Sequence, residues 1–323
     1  MTDSSLRPAR GSVLALDIGG TKLAAGLVEP DTGMITRFVM VPTPRGDAEQ
    51  VWQAITGLVG PLLVARPGAI GIGCPGPLSP ADGTVSPVNI PAWRNFPLCE
   101  RLTGLVGAPA TLANDAICAA VGEHRRGAGQ GAAAMLGMVV STGVGGGFIL
   151  GGSVYGGPTG NAGNIGHVIA DPDGEPCPCG GIGCVETIAS GPSMVRRARA
   201  AGWPGPPGAT ATDLAAAVAH ADPSATEAVA AAAHALAVAI VSAAVLVDLD
   251  VVVIGGGIAA FGDLLLAPLT KECTHYGRNA FARRLKVRLA SLSGPEAGLI
   301  GAAVLAAAPM GHAAAFFSGV YDG

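Results

Sequence analysis

Apolar and polar positions divide the chain into strands that end in glycine turns and helices that follow them. The apolar run Val13–Leu16 and a second run that starts at Leu23 flank two glycines, which predicts a β-hairpin. The same pattern recurs in AAMLGMVVSTGVGGGFILGGSVYGG, which begins at Ala133. Two hairpins of one design predict a protein built from two similar halves.

Helical patterns alternate with these strands. Residues 48–64 have helical spacing, and a second helix is predicted from Asp115 to about Arg126. The segment AIGIGCPG predicts a strand that ends in a turn, and DLDVVVIGGGIAAFGDLLLAPL predicts a strand, a glycine turn and a helix. Alternation of this kind is typical of a mixed α/β protein.

These elements predict two domains. We expect a small N-terminal α/β domain at residues 12–115 and a larger C-terminal α/β domain, with a cysteine-rich loop, at residues 116–294. A helix at about residues 295–308 is expected to pack back on the first domain. Residues 1–11 and 309–323 are expected to form flexible tails.

Composition and charge narrow the classes of function. The chain is 50% hydrophobic and 13% charged with a net charge of −4. It lacks the run of basic residues that would indicate nucleic-acid binding. Seven cysteines, three of them clustered, and the lack of a secretory signal indicate a cytoplasmic protein. Residues 228–247 are long enough to span a membrane, but their alanine content favours a buried core helix, so no membrane partner is expected.

Two glycine turns are candidates for phosphate binding. In DIGGTK, Gly19 and Gly20 let backbone N–H groups approach an anion, and Thr21 and Lys22 add polar donors. Asp17, at the end of the strand, could hold a magnesium ion through water. The alternative is an ordinary hairpin turn with a solvated lysine.

The second hairpin and a third glycine run offer similar chemistry. STGVGGG at residues 141–147 could bind the same polyphosphate as the first turn, although it also suits a plain turn. The run at Gly255–Gly257 favours nucleotide binding. It also fits the G-x-G-x-x-A pattern of dinucleotide-binding proteins, which leaves a dehydrogenase as an alternative.

The segment around PCPCGGIGC predicts a metal centre. His167 precedes Cys177, Cys179 and Cys184 at spacings that suit one ion. Three thiolates and one imidazole complete a tetrahedral zinc site with no open position, which indicates a structural role for the metal. The alternative is a set of inert thiols beside an unrelated histidine.

The corner LANDA carries a candidate base. Asp115 follows Asn114 where a strand meets a helix. An aspartate in this position is commonly a helix N-cap. It can also accept a proton from a substrate hydroxyl.

Taken together, the motifs resemble those of the ROK family of sugar kinases from about Val13 to Ala308. GNAGNIGHVIADPDGEPCPCGGIGCVETIASG is similar to the family's sugar-and-zinc signature, and DIGGTK, GIGCPGPL, LANDA, STGVGGG and VVVIGGGIA follow in the family's order. The resemblance implies an actin/hexokinase-like (ribonuclease H-like) two-domain α/β fold with a cleft between the domains. It also implies an ATP-dependent kinase that phosphorylates the 6-hydroxyl of a hexose.

The resemblance assigns roles residue by residue. Asp115 would be the catalytic base, and the sugar hydroxyls would contact Asn89, Asn114, His167 and Glu186, the histidine also binding zinc. The ATP phosphates would lie against Gly19, Thr21, Lys22, Thr142 and Gly143, and the adenosine against Gly256 and Gly257. The implied cofactors are ATP, Mg²⁺ and a structural Zn²⁺. Family members are commonly homodimers or homotetramers.

Two positions depart from the family pattern and bear on the substrate. Asn164 stands where the family's E-x-G-H motif has a sugar-binding glutamate, and Ile117 stands where N-D-x-N has a second asparagine. Glucose is the default substrate. An aminosugar such as kanosamine is the alternative, and polyphosphate is the alternative donor. The other class is a sugar-binding transcriptional regulator, but no helix-turn-helix segment fits before the first phosphate motif.

Overall fold

The structure, a computed structural model, describes residues 11–308. The predicted tails therefore lie outside the described residues, apart from Gly11. The described chain divides into two compact units. Of the described residues, unit 1 contains 11–125, 157–160 and 295–308, and unit 2 contains 126–156 and 161–294.

The described residues form strands and helices in alternating groups. The strands are β1 (Val13–Ile18), β2 (Lys22–Glu29), β3 (Met34–Pro42), β4 (Ala69–Cys74), β5 (Leu78–Ser79), β6 (Thr84–Val85), β7 (Ala110–Asn114), β8 (Ala134–Val140), β9 (Val144–Leu150), β10 (Ser153–Tyr155), β11 (Val251–Gly255) and β12 (Lys286–Leu289). The α-helices are α1 (Ala48–Val59), α2 (Leu98–Val106), α3 (Asp115–Arg126), α4 (Val185–Ala189), α5 (Gly191–Ala200), α6 (Ala211–Ala219), α7 (Pro223–Val247), α8 (Asp263–Tyr276) and α9 (Glu296–Ala307). Short 3-10 turns follow α1 and precede α8.

The two main sheets have the same topology. In unit 1 the strand order is β3-β2-β1-β4-β7, with an antiparallel β3-β2-β1 meander and parallel β1, β4 and β7. In unit 2 the order is β10-β9-β8-β11-β12, again with a meander followed by parallel strands. The first glycine turn follows β1 and the second follows β8. In its own sheet, each of these strands joins the antiparallel meander to the parallel strands.

Unit 1 extends past the expected boundary at residue 115 because α3 packs against α9. A Cβ added at Gly122 would lie 2.1 Å from the carbonyl oxygen of Ala297, and one at Gly301 would lie 1.7 Å from that of Cys118. Only glycine at these positions lets the two helices approach so closely. Helix α9 also packs on β1 and β4, so this C-terminal segment completes the core of unit 1.

Local sequence explains where the helices begin and end. Asp47 caps α1 through a capping box with Gln50. The predicted helix at residues 48–64 is shorter in the structure, because the α-helix ends at Val59 and a 3-10 turn runs to Ala65. Pro61, two residues after Val59, cannot donate a backbone hydrogen bond, which favours this termination.

The alanine-rich segment forms the central helix of unit 2. Helix α7 has 25 residues, and 61% of its most apolar window is buried. By length and composition α7 could cross a membrane, but its side chains join the core formed by β8, β11 and the neighbouring helices. Alanines along its buried side allow close packing, as a core helix requires.

Candidate active site and metal centre

The first glycine turn joins β1 to β2 in unit 1. The backbone N–H of Gly19 donates to the carbonyl oxygen of Lys22 at 3.0 Å, and the Thr43 hydroxyl donates to the carbonyl oxygen of Gly19 at 2.6 Å. Asn89 lies against the turn, since a Cβ added at Gly20 would come within 2.7 Å of the Asn89 Cβ. The side chains of Thr21 and Lys22 are exposed. The turn is therefore fixed while its polar side chains remain open to an anion.

A cavity of about 400 Å³ lies beside this turn. It is lined by Gly20, Asn89, Thr43, Arg45 and residues around them. Arg45 is exposed and adds a positive charge to the lining. The predicted sugar-loop residue Asn89 and the predicted phosphate-turn residue Gly20 therefore share one cavity.

Two carboxylates lie at the carboxyl edge of the first sheet. Asp17 is near the end of β1, Asp115 follows β7, and β4 lies between these strands. Burial, followed by the charge of Asp115 and opposed by Lys22, raises the pKa of Asp17 from 3.8 to about 7. Burial also raises the pKa of Asp115, against two backbone hydrogen bonds that lower it. Two such carboxylates form a site that can accept a proton or share a cation.

Asn114 and Asp115 together begin helix α3. The backbone N–H of Ala116 donates to Asn114 Oδ1 at 3.0 Å and to Asp115 Oδ1 at 2.9 Å. The first contact is the capping interaction that favours asparagine before a helix. It fixes the corner, and the Oδ2 atom of Asp115 keeps no hydrogen-bond partner among the described residues.

The second glycine turn joins β8 to β9 in unit 2. Its residues Ser141 and Gly143 are linked by a 2.8 Å backbone hydrogen bond. Gly256 has a φ of 86°, and a Cβ there would lie 2.4 Å from the carbonyl oxygen of Val140. A Cβ at Gly257 would lie 3.5 Å from the Ser141 hydroxyl. The residues predicted to bind nucleotide in this unit, Thr142, Gly143, Gly256 and Gly257, therefore lie close together.

The predicted metal ligands form one cluster in unit 2. The ligand atoms of His167, Cys177, Cys179 and Cys184 all lie within 4.8 Å of one another. Cys177 Sγ lies 3.8 Å from His167 Nδ1, and Cys179 Sγ lies 3.7 Å from Cys184 Sγ. A tetrahedral zinc ion with Zn–S bonds of about 2.3 Å places its ligands about 3.8 Å apart. These two distances are therefore compatible with a bound zinc ion.

The electrostatics of the cluster also suit a cation. Burial, followed by hydrogen bonding to the thiols of Cys179 and Cys177, raises the pKa of Cys184 to about 12. Without a positive ion the cluster therefore does not hold three thiolates at neutral pH. A zinc ion bound here would supply the positive charge that allows all three thiols to ionise.

Backbone turns bring the ligands together. The N–H of Cys177 donates to the carbonyl oxygen of Gly181, and the N–H of Gly180 donates back to Cys177. Gly183 has a φ of 66°, and a Cβ there would lie 1.5 Å from the carbonyl oxygen of Asp171. No other residue fits this position without a shift of the backbone.

The predicted sugar contacts in this unit have different surroundings. His167 turns Nδ1 toward Cys177, which leaves Nε2 for another partner. Asn164 is exposed, and its side chain has no hydrogen bond within the described chain. Glu186 has a partner within the protein as well, because its Oε2 accepts a 2.7 Å hydrogen bond from the backbone N–H of Val144. The contact between this carboxylate and the second glycine turn was not foreseen from the sequence.

Other residues of these sites carried no clear sequence signal. Thr43 reaches Gly19 from 24 positions away. Arg45 resembles any solvated arginine in the sequence, and Val144 contributes a backbone N–H that no side-chain pattern reveals. Their roles depend on how strands distant in sequence are brought side by side.

Known proteins are similar in sequence to this chain over nearly its whole length. The sequence model of the ROK family matches residues 13–308. A glucokinase of Streptomyces coelicolor is 33% identical over 316 residues, a match that covers 93% of this chain and 98% of the relative. An N-acetylmannosamine kinase of Shigella boydii is 37% identical over 300 residues and covers 91% and 98% respectively.

A solved structure resembles this chain in both sequence and fold. The crystal structure of a ROK family glucokinase from Streptomyces griseus, in complex with glucose and AMPPNP, superposes with a TM-score of 0.79 at 35% identity. The match covers 92% of this chain and 99% of that one. The likeness in fold therefore extends through both units.

Proposed function

This chain belongs to the ROK family and is a sugar kinase with the actin/hexokinase-like fold, and from that premise we propose that it phosphorylates the 6-hydroxyl of a hexose with ATP. The glucokinase from Streptomyces griseus was solved with glucose and an ATP analogue, which supports this pair of substrates. The alternative donor, polyphosphate, requires no adenosine contact at Gly256 and Gly257.

The observation that carries the proposal is the pair of carboxylates at the edge of the first sheet. Asp115 is the base: it accepts the proton of the 6-hydroxyl as O6 bonds to the γ-phosphorus and the bond to the bridging oxygen of ADP breaks. The raised pKa of Asp115 suits this task, because a base with a pKa nearer neutrality accepts a proton more readily. Its unpaired Oδ2 is the atom we assign to the hydroxyl.

The glycine turns and the sugar contacts position the substrates. Phosphoryl transfer needs little covalent help, so alignment and charge neutralisation account for most of the acceleration. We assign the phosphates to the turns at Gly19–Lys22 and Thr142–Gly143, and the sugar hydroxyls to Asn89, Asn114 and the Nε2 atom of His167. Glu186 retains Oε1 for a hydroxyl while Oε2 holds Val144.

Two metals fit the residues present. Asp17 and Asp115 provide carboxylate oxygens, which Mg²⁺ prefers, and a cation near Asp17 would offset the burial and the charge of Asp115 that raise its pKa. Mg²⁺ bound with ATP neutralises charge on the phosphates. A zinc ion held by His167 and the three cysteines would fix the orientation of the His167 ring and leave Nε2 available to a sugar hydroxyl.

Glucose is our first candidate substrate, and N-acetylmannosamine is the second because the relative from Shigella boydii is 37% identical. The exposed Asn164 is the residue on which this choice depends. An amide at this position can donate as well as accept a hydrogen bond, whereas a glutamate only accepts. This favours sugars with an altered substituent, among which kanosamine is a third candidate.

An ADP-release assay across glucose, mannose, glucosamine, kanosamine and N-acetylmannosamine tests the proposal. We expect kcat/KM for one of these sugars to exceed the others by at least about tenfold, and Asn164→Glu to shift the ranking toward glucose. Charged acceptors contribute about 1–2 kcal/mol more than neutral ones, which corresponds to about tenfold. Asp31→Asn, an exposed carboxylate in unit 1, is the matched control and should leave the ranking unchanged.

We further propose that the enzyme is cytoplasmic and assembles as a homodimer or homotetramer. Free thiols that bind zinc persist in a reducing compartment, which supports the first statement. Light scattering of the purified protein measures the second, and a monomeric mass at micromolar concentration would contradict it.

A further inference from the structure

The second glycine turn is held by a carboxylate from the metal-binding segment. Glu186 Oε2 accepts the backbone N–H of Val144 at 2.7 Å. Glu186 lies in the first turn of α4, and the residue that precedes this helix is Cys184, a ligand of the metal cluster. The position of the carboxylate is therefore tied to the metal ligand two residues before it.

A second metal ligand adjoins the same turn. Gly166 precedes His167, and a Cβ added at Gly166 would lie 2.0 Å from the carbonyl oxygen of Val144. The backbone of the histidine segment thus packs directly on Val144. Val144 is consequently contacted from two directions, by its N–H through Glu186 and by its carbonyl oxygen through Gly166.

The turn has little freedom on this side. A Cβ added at Gly143 would lie 2.7 Å from Glu186 Oε2, so the carboxylate rests against the apex of the turn. The N–H of Gly191, at the start of α5, donates to the carbonyl oxygen of Ser141 at 2.8 Å. Both ends of the Ser141–Val144 turn are thus bonded to the segment that follows the cysteines.

We propose that Glu186 is a positioning residue for the nucleotide: by holding the N–H of Val144 it fixes the Ser141–Val144 turn in the shape that binds phosphate. This inference rests on the proposed function in taking that turn as a phosphate site. A hydrogen bond from an amide to a carboxylate is stronger than one between neutral groups, so one contact can order a short turn. Through this bond the metal loop, residues 167–186 with the four candidate ligands, orders the phosphate turn as well as the sugar contacts.

Three variants test this role. Glu186→Ala removes the acceptor, and Glu186→Gln retains an amide oxygen that can accept from Val144. Glu175→Gln is the matched control, because Glu175 lies in the same metal loop but pairs with Arg196 at the surface. Zinc content is measured in each variant, and all are expected to bind about one ion per chain.

The first readout needs no ligand. We expect hydrogen exchange of the Val144 amide to accelerate by about tenfold or more in Glu186→Ala, because an amide that loses its acceptor loses protection. In Glu186→Gln and Glu175→Gln it should stay within about threefold of wild type. Unchanged protection of Val144 in Glu186→Ala would overturn the proposal.

The second readout is the affinity for AMPPNP without sugar. We expect Glu186→Ala to weaken it by about tenfold and Glu186→Gln to restore most of the loss. If Glu186 contacts only sugar, AMPPNP affinity is unchanged while sugar affinity falls, and the proposal is overturned. Failure of the wild-type protein to bind AMPPNP would count against the proposed function, whereas the exchange result would still decide whether Glu186 holds the turn.

Discussion

Asp17→Asn should make the ligand-free protein more stable while it lowers catalysis. The folded state raises the pKa of Asp17 from 3.8 to about 7, chiefly by burial and then by the charge of Asp115. A carboxyl with a raised pKa binds its proton more tightly when folded, so ionising it opposes folding. The stability that the neutral carboxyl provides is therefore present at low pH and is lost as the pH rises from about 4 to about 7.

The magnitude follows from the shift. A difference of about 3 pKa units lowers the free energy of unfolding by about 4 kcal/mol at alkaline pH. About 1.5 kcal/mol of this loss has already occurred at pH 5. Asparagine has nearly the same shape and stays neutral, and no hydrogen bond to the Asp17 side chain is present among the described residues. The advantage of the variant should therefore grow by about 2–3 kcal/mol between about pH 5 and about pH 8.5.

Thermal unfolding of both proteins, without sugar, nucleotide or added magnesium, measures this difference. A free-energy change of this size should widen the gap in Tm by about 4–8 °C between the two pH values. Asp31→Asn, at an exposed carboxylate in the same unit, should differ from the wild type in Tm by the same small amount at both pH values. The reasoning is refuted if the Tm gap for Asp17→Asn is constant with pH, or if the variant is the less stable protein at pH 8.5.

Three further predictions concern the base and the metal loop. The ratio kcat/KM, which reports ionisations of the free enzyme, should fall as the pH drops through the pKa of Asp115. This acid limb should lie above 3.8 because burial raises that pKa, and a limb at or below 3.8 contradicts the assignment. Cys179→Ser should reduce zinc from about one ion per chain, measured by elemental analysis, whereas Cys99→Ser, outside the cluster, should retain it. Gly183→Ala should lower stability by more than about 2 kcal/mol and release zinc, because its Cβ would lie 1.5 Å from a carbonyl oxygen. Gly57→Ala, in open space on α1, should instead raise stability by about 0.5–1 kcal/mol, and equal effects of the two substitutions would contradict the steric argument.

The fold was predictable where local patterns agree with tertiary contacts. Apolar runs around the two glycine turns predicted both hairpins, and the structure confirms them as β1-β2 and β8-β9. The extent of unit 1 was harder to predict from the sequence, because the packing of α3 on α9 joins residues far apart in sequence. The end of α1 was also missed, since the apolar spacing continues through Pro61 while the backbone hydrogen bonding does not.

The metal cluster was the most predictable part of the site. Three cysteines and a histidine at short spacing can meet through local turns, and the structure brings their ligand atoms within 4.8 Å. The contact between Glu186 and Val144 could not be predicted, because it joins a side chain to a backbone N–H 42 positions away. The substrate contacts stay predictions, since they depend on a sugar that these side chains would share.

Phosphorylation by the wild-type protein and by Asp115→Asn tests the central claim most directly. Each is incubated with MgATP and the preferred hexose, the position of the phosphate is read by phosphorus–carbon correlation, and sugar affinity is measured separately. We predict phosphate on O6 with the wild type, and a loss of about 100-fold or more in kcat with near-normal sugar affinity in the variant. Undiminished turnover by Asp115→Asn, or phosphate on another oxygen, would contradict the account.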